Sequence, residues 1–147
     1  MSLKERLQEE MKSAMRAKDK ERLSTIRLML AELKRVEVDE RIELSDERIL
    51  AILDKMQKQR RDSISQFEQA EREDLAAKER SELEVIAEFL PEPLGEAELN
   101  ALIDAAIAEV GASSMADMGK VMALVKPKAQ GRADMSEISK AVKGRLA

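Results

Sequence analysis

An all-α fold is predicted for this chain, and three features of its 147 residues predict it. The hydrophobic fraction is 44% but aromatics supply only 1%, so a core must be built from Leu, Ile, Val, Met and Ala. Those residues, with the Glu, Lys and Arg that help make the chain 38% charged, are good helix formers. Alternating β-branched or aromatic runs, the signature of strands, are scarce. A chain of this length forms one domain or two small ones.

Ser2 and Glu5 read as a capping box opening a first helix, with Leu3, Leu7, Met11 and Met15 or Ala14 along one face. Ala17 to Lys20 supplies a turn, with Asp19 as the next N-cap. The second helix runs to about Val38, and Leu23, Ile26, Met29, Leu30, Leu33 and Val36 give it a broad apolar face suited to more than one neighbour. Ser45, followed by Asp46 and Glu47, caps a third helix reaching about Gln69. Asp74 is the expected cap of a fourth helix, which runs to Leu90. There Pro91-Glu92-Pro93 stops it, since proline lacks an amide donor and restricts the residue before it.

The double proline is the sharpest boundary in the chain. It divides an N-terminal four-helix domain, residues 1–90, from a small C-terminal three-helix domain, residues 94–147. The first helix of the second part spans about Glu96 to Val110 and ends at Gly111, with Leu99, Leu102, Ile103, Ala106 and Ile107 inward. The next follows Ser114-x-x-Asp117 and presents Met118, Val121, Met122 and Val125. The last follows Asp134-x-x-Glu137 and presents Ile138, Ala141, Val142 and Leu146. Between these two, Lys126 to Asp134 reads as a basic loop punctuated by Pro127 and Gly131.

Charge also changes at the boundary. Pro91 to Ser114 holds five acids and no base, whereas Met115 to Ala147 holds seven Lys or Arg against three acids, a formal +4 in a chain of net −4. Such asymmetry points to a polyanionic partner. The candidate RNA-binding residues are Lys120, Lys126, Lys128, Arg132, Lys140 and Lys143. The plain alternative is a solvated helix surface. A second feature is a charge on an apolar seam: at about 100° per residue, Arg60 shares the face of Ile49, Leu53, Met56 and Phe67. Glu79 and Glu82 share the face of Leu75, Leu83, Ile86 and Leu90. An antiparallel hairpin would bring Arg60 to Glu79 or Glu82 as a structural ion pair. The competing reading is an anion site made by Arg60 and Arg61 with Lys55 and Lys58.

Several chemistries have no residues to run on. Without cysteine there is no disulfide, thiolate nucleophile or zinc–thiolate site, and without histidine the usual general base and metal ligand are missing. With Phe67 and Phe89 the only aromatics, base-stacking on single strands is nearly excluded, so structured RNA suits the basic segment better. No metal, cofactor or catalytic residue is expected. MSLKERLQEE has no apolar core of a secretory signal and no apolar run approaches ~18 residues, so a soluble cytoplasmic protein with no membrane partner is expected.

Met118-Gly119-Lys120-Val121-Met122, the Lys126-Pro127-Lys128 segment and Gly131-Arg132-Ala133-Asp134 resemble the tail domain of GatB, a subunit of the glutamine-dependent tRNA amidotransferase. Lys18 to Arg27, Lys58 to Phe67 and Phe89-Leu90-Pro91 resemble the stand-alone YqeY-like proteins that share that tail. The resemblance spans almost the whole chain. It implies an N-terminal helical domain and a three-helix tail that helps hold tRNA, while amido transfer belongs to parts of that enzyme absent here. Two departures stand out. Met135-Ser136 replaces a glycine expected after the Gly-Arg-Ala-Asp motif, and Ala70-Glu71 replaces one expected before Arg72, which predicts a less sharp turn between the third and fourth helices.

Three roles follow as expectations. The first is a non-catalytic tRNA-binding or tRNA-metabolism accessory protein acting through its tail. The second is an adaptor docking on an enzyme of tRNA aminoacylation or amidation through Met115, Met118, Met122 and Met135. The third, implied by the family label alone, is a carbon–nitrogen ligase with glutamine as amido-N-donor.

Overall fold

The computed structural model describes residues 1–147. The fold is all-α, with seven α-helices, and the chain separates into two compact units, Met1–Pro91 and Glu92–Ala147.

In the first unit, α1 is Leu3–Arg16, α2 Lys20–Glu40, α3 Asp46–Gln69 and α4 Glu73–Ala87. Both halves of the Ser2/Glu5 capping box form, and Asp19 and Ser45 cap α2 and α3 by accepting from the amides of Arg22 and Arg48. The core comprises Leu7 of α1, Met29, Leu33 and Val36 of α2, Ile49, Ile52, Leu53 and Met56 of α3, and Ile86 with Phe89. Ala14 is buried while Met15 is half exposed, so the smaller residue takes the inward position. Arg6 lies over the Phe89 ring at 4.8 Å and donates to the Glu88 carbonyl at 3.0 Å, covering that end of the core.

Two expectations about α4 are corrected. Asp74 is not its cap; Arg72 is, two residues earlier, and Asp74 sits in the first turn paired with Arg72 at 3.2 Å. An acid there still suits the positive end of the helix. The α-helix also ends at Ala87 rather than Leu90, and the next three residues tighten into i→i+3 bonds before Pro91.

The turn between α3 and α4 is sharp although no glycine is present. Glu71 takes the left-handed conformation, φ 57°, while Arg72 and Glu71 donate back to the Phe67 and Glu68 carbonyls at 2.8 and 3.1 Å. This is a Schellman closure, which normally favours glycine. Lys18 and Arg41 take the same conformation at the ends of α1 and α2. A left-handed L-residue costs about 1–2 kcal/mol, part of which glycine would lose again to unfolded-chain entropy. Glu71→Gly is therefore expected to raise stability by about 0.5–1 kcal/mol, read by urea denaturation; a loss would show that the Glu71 side chain matters.

In the second unit, α5 is Glu96–Val110, a 3₁₀ turn spans Met115–Asp117, α6 is Met118–Ala129 and α7 is Met135–Leu146. Their core is Ile103 and Ala106 of α5, Val121, Val125 and Ala129 of α6, and Ile138, Val142 and Leu146 of α7. Ser114 makes no side-chain cap. Instead Asp117 accepts from the Ser113 amide at 3.0 Å, and the backbone amides of Ser113 and Ser114, with Lys120, hold its carboxyl below the usual range.

The segment Lys126-Pro127-Lys128 is not a loop. It forms the last turn of α6, and the connection to α7 is only Gln130 to Asp134. Pro127 and Ala123, whose carbonyl loses its i+4 donor, both lie on the exposed side, where water can satisfy that carbonyl. The connection turns on Gly131, φ 77°, and Asp134 then caps α7 by accepting from Ser136 at 2.9 Å. Met135 enters the helix with no positive φ, so glycine is not required at that position.

Candidate nucleic-acid interface

The second unit is electrically divided rather than basic. Seven Lys or Arg face eight acids across Glu92–Ala147, a net −1, with the acids concentrated in and before α5 and the bases in α6 and α7. Two arginines join the halves. Arg132 donates through Nε to the Glu92 carbonyl at 2.8 Å and through Nη2 to Glu98 at 3.3 Å, and Arg145 pairs with Asp104. Arg132 is only 30% exposed. Of the six residues singled out from the sequence, Arg132 thus serves as an internal clasp, helped by the Leu94 amide donating to its carbonyl at 2.7 Å. The signal available for this was the run of acids without a base before Met115, which needs counter-charge within the unit.

Arg132→Gln is expected to lower stability by about 0.5–1 kcal/mol, since it removes the charged donor from a mostly exposed carboxylate and carbonyl that water can re-solvate. RNA affinity should change little. A large loss of affinity at unchanged stability, measured side by side, would return Arg132 to the interface.

The other five, Lys120, Lys126, Lys128, Lys140 and Lys143, are exposed and enter no ion pair. Their placement differs. Lys126 and Lys128 lie in the last turn of α6 and Lys143 in that of α7, where a cation is stabilised by the helix dipole. Lys120 lies in the first turn of α6, where the same dipole opposes it, and Lys140 lies in mid-helix. Helix-end electrostatics account for three of the lysines; Lys120 has instead the nearby Asp117 carboxyl, which it helps hold low, and Lys140 has neither. On α7, Lys140 and Lys143 are about 60° apart and share a side. On α6, Lys120 and Lys126 are about 120° apart, so they flank the helix rather than share one line.

In the first unit, Arg60 stands between two carboxylates. Its Nε is 3.3 Å from Glu82 and 3.8 Å from Glu79, with side chains 17%, 13% and 24% exposed respectively. Met56 and Gln57 are the last buried residues of α3, so this layer closes the wet end of the core. Burial raises the Glu79 carboxyl above its ordinary range, Glu82 adds to that and Arg60 opposes it. Arg60 is engaged by acids, while Lys55, Lys58 and Arg61 are exposed on α3. No helix is long and apolar enough to cross a membrane.

A family profile described as Yqey-like protein matches residues 4–146. Among curated relatives, a protein of Pyrenophora tritici-repentis named Altered inheritance of mitochondria protein 41, mitochondrial, is 35% identical over 129 residues, 84% of this chain and 71% of that protein. Proteins of the same name from Vanderwaltozyma polyspora and Kluyveromyces lactis are 42% and 38% identical over 85 and 84 residues, 57% and 56% of this chain. The matched regions span about half of those two relatives' length, 46% and 45%. These names overturn the expectation of a cytoplasmic protein. Its basis was composition and the lack of an apolar secretory signal, and a charged, helix-forming composition suits any aqueous compartment. With the profile covering nearly every residue, and a relative sharing more than a third of its aligned positions over most of both chains, this chain belongs to the YqeY-like protein family.

Proposed function

We propose that the chain is a non-catalytic accessory protein of tRNA or other structured RNA, working through α6 and α7. In this reading an N-terminal four-helix domain carries a three-helix tail, and the tail's lysines lie along a phosphate backbone. The observation that carries it is the contrast inside the second unit: Arg132 and Arg145 are tied to α5 acids, whereas the five lysines are exposed and in no ion pair, Lys140 has neither a helix end nor a carboxylate to explain it, and Lys120 stands against the helix dipole with only Asp117 nearby. Lysine neutralises phosphates as a point charge and displaces counterions, which needs exposure and freedom rather than a buried fork. The near absence of aromatics favours folded RNA over unstacked single strands.

The adaptor reading has less support, because Met118, Met122 and Met135 pack against the tail core and Met115 alone of the four is exposed. Crosslinking of the intact chain in cells, followed by identification of what is attached, tests the proposal. Folded RNA attached through α6 or α7 supports it; protein partners with no RNA would favour the adaptor.

A further inference from the structure

The exposed cations of the first unit are arranged more regularly than those of the second. Lys20, Arg27, Lys34 and Arg41 recur every seven residues along α2 and its C-cap, all four exposed and none in an ion pair. A seven-residue step turns about 340° on a helix at ~100° per residue, so the four form one gently drifting line about 31 Å long. Beside this line run Leu23, Leu28, Ala31 and Val38, of which Leu28 is 44% and Val38 65% exposed. Ile42, 44% exposed, follows directly after Arg41. A shallow depression on this face is lined by Lys20, Leu23, Ser24, Arg27, Leu28 and Ala31.

Glu37 is the one acid beside the line, about 40–60° from Arg41 and Lys34, and Lys4 neutralises it at 2.9 Å. Of the other acids of α2, Glu32 and Asp39 pair with Arg35 and Glu40 with Arg48, at 2.5–3.0 Å. Glu21 lies about 100° round the helix from Lys20, on the flank that also carries Leu28. The fold therefore ties up four of the five acids of this helix, together with Arg22 and Arg35, and leaves the four cations of the line outside any ion pair.

We propose that this outward face of α2 docks on an anionic phospholipid surface, with the helix lying flat along the bilayer. Cations meet lipid phosphates and carboxylates while Leu28, Val38 and Ile42 enter the headgroup boundary. An RNA backbone would use the cations but leave those side chains in water, so the paired stripes favour the bilayer. No helix is long and apolar enough to cross a membrane, which is compatible with surface contact. This surface is separate from the α6 and α7 lysines, and either role can fail without the other.

The test is co-sedimentation of the full chain with phosphatidylcholine vesicles, with and without phosphatidylserine at about a third of the lipid. Binding is expected only with phosphatidylserine. Replacing Lys20, Arg27, Lys34 and Arg41 together by glutamine should remove it, at about fivefold per cation. Leu28→Ser with Val38→Ser keeps every charge, yet should weaken vesicle binding severalfold and leave tRNA binding unchanged; circular dichroism confirms that each variant is folded. Equal or absent binding to both vesicle types overturns the proposal. So does unchanged vesicle binding by the glutamine variant, or a loss of tRNA binding in its place.

Discussion

Arg60→Met is expected to lower unfolding free energy by about 3 kcal/mol near neutral pH. The substitution is close in volume and leaves the hydrophobic neighbours covered. The loss arises because Glu79 and Glu82, largely buried, then face each other without the guanidinium between them, with only Lys78 nearby to offset Glu79. Its pH dependence has a definite sign. Glu79 already titrates above its ordinary value, so the folded chain holds that proton more tightly than the unfolded chain does. Stability from this group accordingly falls as pH rises from the unfolded carboxylate value through the folded one. Without Arg60 the folded value climbs further and the window extends toward neutrality. The variant's deficit should thus be greatest at about pH 7 and shrink toward about pH 5. Adding Glu79→Gln and Glu82→Gln should restore most of the loss. Denaturation curves showing Arg60→Met as stable as the parent at both pH values would remove Arg60 as the register-fixing ion of the α3–α4 hairpin.

The second large effect concerns binding. Replacing Lys120, Lys126, Lys128, Lys140 and Lys143 together by glutamine is expected to weaken tRNA binding by on the order of 10²–10³-fold at low salt. The stability changes are smaller and separable. Removing Lys126, Lys128 and Lys143 forfeits about 0.3–1 kcal/mol each at helix C-termini, whereas Lys120→Gln should be close to neutral, because relief of a cation at a helix N-terminus offsets the lost attraction to Asp117. Lys120→Gln with Lys140→Gln is therefore the informative pair: affinity should drop at least severalfold while denaturation midpoints hold. If affinity holds as well, these lysines are ordinary surface residues.

Most of the fold was legible because local signals agreed with one another. The Ser2/Glu5, Asp19, Ser45 and Asp134 caps and the Gly111 stop act within a few residues, and all work as their chemistry implies. What failed depended on context. Pro127 looked like a loop marker, but a proline on the outer side of a last turn sacrifices only a bond that water replaces. Glu71 looked too hindered for a sharp reversal, yet hairpin packing holds it left-handed as it would a glycine. The seam position of Arg60 could be read from periodicity, since facing helices constrain which residues can meet. Arg132 could not be assigned from the charge of its own segment, because its partners Glu92 and Glu98 lie some forty residues earlier. The α2 stripe was hidden for a different reason: its four cations are spread over twenty-two residues that also hold five other helix acids, and only the ion-pair map separates engaged charges from free ones.

The most direct measurement is the affinity of the intact chain for folded tRNA across a series of salt concentrations. If unpaired lysines on α6 and α7 hold the phosphate backbone, log affinity should fall linearly against log salt with a slope of about −3 to −4, and the five-lysine variant should flatten it to near zero. A parent chain that fails to bind tRNA at micromolar concentration in low salt, or binds with no dependence on salt, would contradict the account.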